Sequence, residues 1–142
     1  MINFDMMKAF ISIFFALIFM LCIMAGCKPK HNDTITGGGK GGSSKITASG
    51  QHHGSLLDTC MIYIKYGTLD APASGIYDDS LACTLVDGIP VSTFSGLTIG
   101  NYYLLAIGFH GGFSPPTVRG GRPYTISQSG STANVVVNTY QY

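Results

Sequence analysis

The sequence predicts an all-β fold, a single small antiparallel β-sandwich of about seven strands, and three observations carry that expectation. Downstream of residue 44 no stretch sustains the 3.6-residue apolar period of a helix. Short runs rich in β-branched and aromatic residues, of which Cys60-Met61-Ile62-Tyr63-Ile64-Lys65-Tyr66 is the clearest, recur along the remaining chain. Glycine, Asp, Asn and Ser clusters separate those runs at short intervals, as turns do in sandwiches.

The elements before the sandwich follow from composition. Lys8 supplies a positive end, Ala9 to Ala25 an apolar core, and small Ala25 and Gly26 lead directly into Cys27. That layout matches a bacterial lipoprotein signal, in which the bond before a lipid-carrying cysteine is cut. The competing reading is an uncleaved membrane anchor. The apolar core is 17 residues long, whereas a spanning helix needs roughly 20, and the polar run Lys28-Pro29-Lys30-His31-Asn32-Asp33 after Cys27 suits cleavage better. Residues 1–26 are therefore expected to be a signal peptide and Cys27 the lipidated residue. The expected location is the cell envelope, most consistent with the outer membrane of a Gram-negative bacterium, with the membrane reached through the lipid anchor.

Residues 27–44 then read as lipidated cysteine and tether. Gly37-Gly38-Gly39-Lys40-Gly41-Gly42-Ser43-Ser44 offers no apolar area to offset the entropy of ordering, so a flexible coil spanning roughly 20 to 25 Å is expected. A phosphate-binding loop is not supported, because G-x-x-x-x-G-K-[ST] is not met.

Residues 45–142 form the expected sandwich. Strand candidates are Ile46 to Ser49, Cys60 to Tyr66, Leu81 to Val86, Val91 to Phe94, Tyr102 to Phe109, Tyr124 to Ser127 and Ala133 to Thr139. Alternation places Cys60, Ile62, Ile64 and Tyr66 on one face and Met61, Tyr63 and Lys65 on the other. Asp87-Gly88 is a hairpin signal, and Ile99-Gly100-Asn101 and Ser129-Gly130-Ser131 are tight reversals. From Lys45 onward four cations (Lys45, Lys65, Arg119, Arg122) meet five carboxylates (Asp58, Asp70, Asp78, Asp79, Asp87), and the chain has no Glu. So even a balance leaves no electrostatic footprint for nucleic acid.

Phe94-x-x-Leu97-x-x-Gly100-x-Tyr102-x-Leu104 resembles the core signature of transthyretin-like, carboxypeptidase-regulatory-like and CnaB-type β-sandwiches. The wider string, from His52-His53-Gly54 through Asp58-x-Cys60-x-Ile62-Tyr63-Ile64-Lys65-Tyr66 to Gly120-Gly121-x-Pro123-Tyr124, is similar to small lipoproteins of the Bacteroidota. The resemblance implies a sandwich in the envelope and carries no activity.

With Cys22 in the leader and Cys27 lipidated, Cys60 and Cys83 remain in an oxidising compartment. A disulfide between them is the preferred reading, and would restrict the unfolded chain by roughly 3 kcal/mol. Two buried thiols are the alternative.

Chemistry beyond that is sparse. Neighbouring His52 and His53 point to opposite faces of a strand, so they are not expected to share a metal ion, and a site adding Cys60 or His110 follows no familiar ligand spacing. Asp78-Asp79 reads as turn acids capping a loop after Tyr77, and Ser43, Ser44 and Ser55 lack a G-x-S-x-G elbow. Asp33-Thr34-Ile35 and Asp79-Ser80-Leu81 resemble the D-[ST]-aliphatic glycosylation acceptor of Bacteroidota envelope proteins. The segment His110 to Pro123 is long for a strand connection. Its Phe113, Arg119 and Arg122 are candidate partner-binding residues for a carbohydrate, peptide or anionic group, unless Phe113 folds back on the core. No enzyme and no cofactor are expected. The functional expectation is an envelope-tethered accessory or binding module for a glycan, peptide or protein partner; the alternatives are a purely structural envelope lipoprotein and, below it, a metal-handling one.

Overall fold

Alternating apolar residues turn one side of each long strand inward, and the resulting all-β fold contains nine strands among the described residues. The computed structural model describes residues 35–112, 114 and 116–141; Cys27, the leader and Phe113 lie outside them. The strands are β1 (Lys40–His52), β2 (Ser55–Leu56), β3 (Thr59–Tyr66), β4 (Asp79–Ala82), β5 (Thr84–Val86), β6 (Ile89–Leu97), β7 (Gly100–Phe109), β8 (Thr117–Ile126) and β9 (Thr132–Gln141). Two departures from the expected seven have local causes. The run Leu81 to Val86 breaks at Cys83 into β4 and β5, and Ser55-Leu56 folds back on β1 through the His53-Gly54 turn. Both residues of that turn have positive φ, 47° and 83°, as does the pair Asp87 (51°) and Gly88 (79°) in the anticipated β5–β6 hairpin. That combination is the two-residue turn whose twist suits a hairpin.

The hydrogen-bonded order is β4-β3-β7-β8-β9-β1-β6-β5, with β2 on β1. All described pairings are antiparallel except β1 with β9, which runs parallel from Lys45↔Thr132 to His52↔Thr139. The path is nearly closed, because its terminal strands β4 and β5 are consecutive in the chain and separated by Cys83 alone. Three interactions hold that closure. Cys83 is disulfide-bonded to Cys60 on β3 with Cα atoms 5.3 Å apart, its amide donates to the Cys60 carbonyl at 2.8 Å, and Ser92 Oγ on β6 donates to Leu81 O on β4 at 3.0 Å.

The inner face carries the core. Ile62 and Ile64 of β3, Phe94 and Leu97 of β6, Tyr102, Leu104 and Ala106 of β7, Val118 and Ile126 of β8, and Val135 and Val137 of β9 are buried. The whole Phe-x-x-Leu-x-x-Gly-x-Tyr-x-Leu signature is thus a packing motif. Among the described residues the β8–β9 ladder comprises two pairs, Val118↔Gln141 and Arg119↔Tyr140. Pro123, which has no N–H to donate, lies beyond those pairs, where β8 has no β9 ladder to satisfy.

The glycine-rich segment differs from the expected coil. From Ile35 to Ser44 it is bonded into the domain: Asn101 N donates to Gly37 O at 2.7 Å and Thr98 N to Gly39 O at 2.9 Å. Gly39 N donates to the Tyr102 hydroxyl at 3.0 Å, and Asn101 Nδ2 to Ile35 O at 2.7 Å. Its glycines are needed for contact. A Cβ on Gly38 would sit 2.5 Å from Asn101 O, and one on Gly42 2.1 Å from Leu97 O, where β1 bulges so that both Lys40 and Ser44 pair with Leu97. Close approach of two backbones, the other common use of glycine, replaces linker flexibility here.

Reducing the disulfide, or replacing both Cys60 and Cys83 with Ala, should lower stability by roughly 3 kcal/mol. Urea unfolding with and without reductant measures this, and equal midpoints would mean that the bridge does not restrain the closure.

Candidate functional site

The outer face of β3, β7 and β8 is where side chains collect that the core does not use. Register aligns Tyr63 with Leu105 and Lys65 with Tyr103, and Leu105 with Gly121 and Ile107 with Arg119. Over this face folds the loop between Tyr66 and Asp79, which brings the Tyr77 ring to 5.6 Å from that of Tyr63. Gly121 is required beneath it, since a Cβ there would meet the Tyr103 ring at 2.4 Å from Cζ. The result is two neighbouring depressions. One, of about 420 Å³, is lined by Tyr77, Tyr103, Leu105, Arg119 and Gly121 with Pro72 and Gly75. The other, of about 410 Å³, lies between Tyr63, Tyr77, Asp78, Asp79 and Ser80.

Asp78 fixes the loop. Its Oδ1 accepts from Lys65 Nζ at 2.8 Å and its Oδ2 from the Tyr66 amide at 2.6 Å. Asp79 pairs with Lys40 Nζ at 3.0 Å, which ties the loop to the glycine-rich start of β1. The adjacent acids therefore serve as loop anchors, as their turn reading anticipates. Desolvation raises the Asp78 carboxyl, but the Lys65 bond and the Tyr66 amide together outweigh it and leave it below the ordinary 3.8. At Tyr77, partial burial and then the Tyr103 phenol raise the hydroxyl above its ordinary value, against the opposing pull of the Arg119 guanidinium. Tyr77 thus stays a neutral phenol able both to donate and to accept.

The sequence-derived candidates separate in space. The expected loop His110 to Pro123 shortens to the connection before Thr117, because β8 claims Arg119 and Arg122. Arg119 borders the tyrosine depression. Arg122 instead donates Nη1 to Val136 O at 2.7 Å across the seam where the β8–β9 ladder has ended, a structural tie. Phe113 is outside the described residues. Tyr63, Tyr77 and Tyr103, which sequence reasoning did not single out as site residues, line the two depressions with Arg119; the outward half of the β3 alternation was the available signal for Tyr63.

At the end of the sheet holding the β1–β2 turn, His52 is buried and its Nδ1 lies 2.8 Å from Thr139 O. The His53 ring is 4.3 Å and the His110 ring 6.1 Å from it. His52 and His53 do not diverge as strand neighbours would, because the positive φ of His53 takes it out of the extended conformation. Among the described residues no group of three or more His, Cys, Asp or Glu side chains is arranged to hold a metal ion. No protein-family model and no curated protein matches the chain.

Asp78→Asn should loosen the loop while the sheet persists. In the wild type the same release should follow acidification, since a depressed carboxyl contributes stability above its ordinary value of 3.8 that is lost as pH falls through the lower folded value. Amide exchange across residues 67–78 measures both. Unchanged protection in the variant would show that Asp78 does not hold the loop.

Proposed function

We propose that this chain is a lipid-anchored cell-envelope protein whose non-catalytic β domain is an accessory binding module, engaging a glycan, peptide or protein partner on the outer face of β3, β7 and β8. The observation that carries the binding reading is the pinned loop. Two ion pairs and a carboxylate–amide bond hold Tyr77 beside Tyr63, Tyr103 and Arg119 on a face that contributes nothing to the core. Tyrosine and arginine are the side chains that most often anchor partners, since each offers apolar area with a directed polar end.

The scaffold in this reading is a β-sandwich, with β4-β3-β7-β8 as one layer and β9-β1-β6-β5 as the other, and the short β8–β9 ladder supports that division. Anchoring rests on the leader layout and Cys27. Seven residues separate Cys27 from Ile35, so the chain between them reaches at most about 30 Å. Ile35 is bonded to Asn101, so the described chain enters the domain beside the β6–β7 turn.

Two measurements test the proposal. Cys27→Ala should move the protein out of the detergent phase or leave an uncleaved precursor, and unmodified Cys27 by intact mass in membrane-purified protein would contradict the anchor. Tyr77→Ala should abolish retention of an envelope partner in a pull-down while the circular dichroism spectrum is unchanged. A partner retained equally by both proteins would exclude this face, and a protein that retains nothing would favour a purely structural lipoprotein.

A further inference from the structure

We infer that the two depressions on either side of Tyr77 are consecutive subsites for an extended glycan chain, an inference that rests on the binding-module reading and names its ligand class. Tyr77 and Gly75 line both depressions, so the Tyr77 ring is a shared wall between them and one ligand can pass along it from Arg119 and Tyr103 to Tyr63 and Asp79. Each depression lies within the range of sites that take small ligands.

The class of ligand follows from what this face offers. A peptide added by strand pairing needs open main-chain groups. Here the strands beneath are laddered on both sides, Tyr63 between Ser80 and Leu105 and Leu105 between Tyr63 and Gly121. Four amides of the loop are already engaged, three within it (Asp70 N on Thr68 Oγ1, Ile76 N on Ser74 Oγ, Gly75 N on Pro72 O) and Asp78 N on Ile64 O of β3. A nucleic acid strand needs a run of cations along its phosphates. Among the described residues Arg119 lines one of these depressions and Lys65 and Lys40 stand at their border beside Asp78 and Asp79, a scatter of cations and not a run.

What the face presents is ring surface, phenol hydroxyls, a guanidinium and carboxylates. A sugar ring has the complementary make-up, an apolar C–H face and a rim of hydroxyls that both donate and accept. Phenol rings meet the first and their hydroxyls, with the charged groups, meet the second. The ridge between two depressions then selects for chain length, because a single sugar fills one side and a chain crosses to the other.

The test titrates the full-length protein in detergent micelles with soluble linear saccharides, from mono- to hexasaccharide and with neutral and uronic acid backbones, and takes affinities from calorimetry. Affinity should rise with chain length. Tyr77→Ala should weaken the best binder by at least about tenfold, a loss of about 1.4 kcal/mol, and Tyr77→Phe should retain most of it because the ring remains. Arg119→Gln, on an exposed residue, gives a second reading if Tyr77→Ala fails to fold. Equal affinity for a monosaccharide and the longer chains would overturn the two-subsite inference, as would glycan binding indifferent to both substitutions in folded protein. If no oligosaccharide binds but an envelope protein is retained in a Tyr77-dependent manner, the glycan inference falls and the binding-module reading stands. If neither happens, both fall.

Discussion

The hydroxyl of Tyr102 is the contact around which the domain is organised. Its ring is fully buried, so the phenol must find partners inside, at a cost of roughly 1 to 3 kcal/mol if it does not. It donates to Thr98 O at 2.7 Å and accepts from Gly39 N at 3.0 Å. One side chain of β7 thereby fixes the β6–β7 turn and seats the glycine-rich segment that feeds β1. Because β1 pairs with β6 on one side and β9 on the other, the seating of that segment also bears on the two strands flanking it. The edge-to-face contact of Tyr66 with Tyr102, with centroids 5.8 Å apart, extends the same anchor to β3.

With the inner face committed in this way, the outer face of β3, β7 and β8 is open to other uses. What makes it a candidate site is the loop that crosses it, which Asp78 and Asp79 anchor by ion pairs and a carboxylate–amide bond while Tyr77 packs against Tyr63. Ion pairs at partly exposed positions contribute little to global stability. Their value here is positional: they hold Tyr77 at one place without adding to the core. Gly121 plays the complementary part from below, because a side chain there would evict the Tyr103 ring.

Much of this was legible in the sequence. The alternation in Cys60 to Tyr66 gave the correct faces, since β-branched and aromatic residues at period two have one arrangement that buries them. Asp87-Gly88 gave the hairpin for a similarly local reason. The glycine-rich run misled because glycine serves both freedom and close approach, and which of the two applies depends on Asn101 and Leu97, more than fifty residues away. Cys60 and Cys83 lie within bonding distance only because β4 pairs with β3. The tyrosine site was hidden for the same reason: Tyr63, Tyr77, Tyr103 and Arg119 are scattered along the chain and share no spacing, and the register that gathers them is a property of the folded sheet.

Site-resolved amide exchange of the glycine-rich junction tests the central claim, that Tyr102 locks the segment before β1 into the domain. The account predicts that the amides of Gly39, Thr98 and Asn101 exchange as slowly as those of the β7 interior, and that in Tyr102→Phe the Gly39 amide becomes fast while β7 stays protected. Fast exchange of all three in the wild-type protein, with β7 still protected, would contradict it and return the segment to a tether.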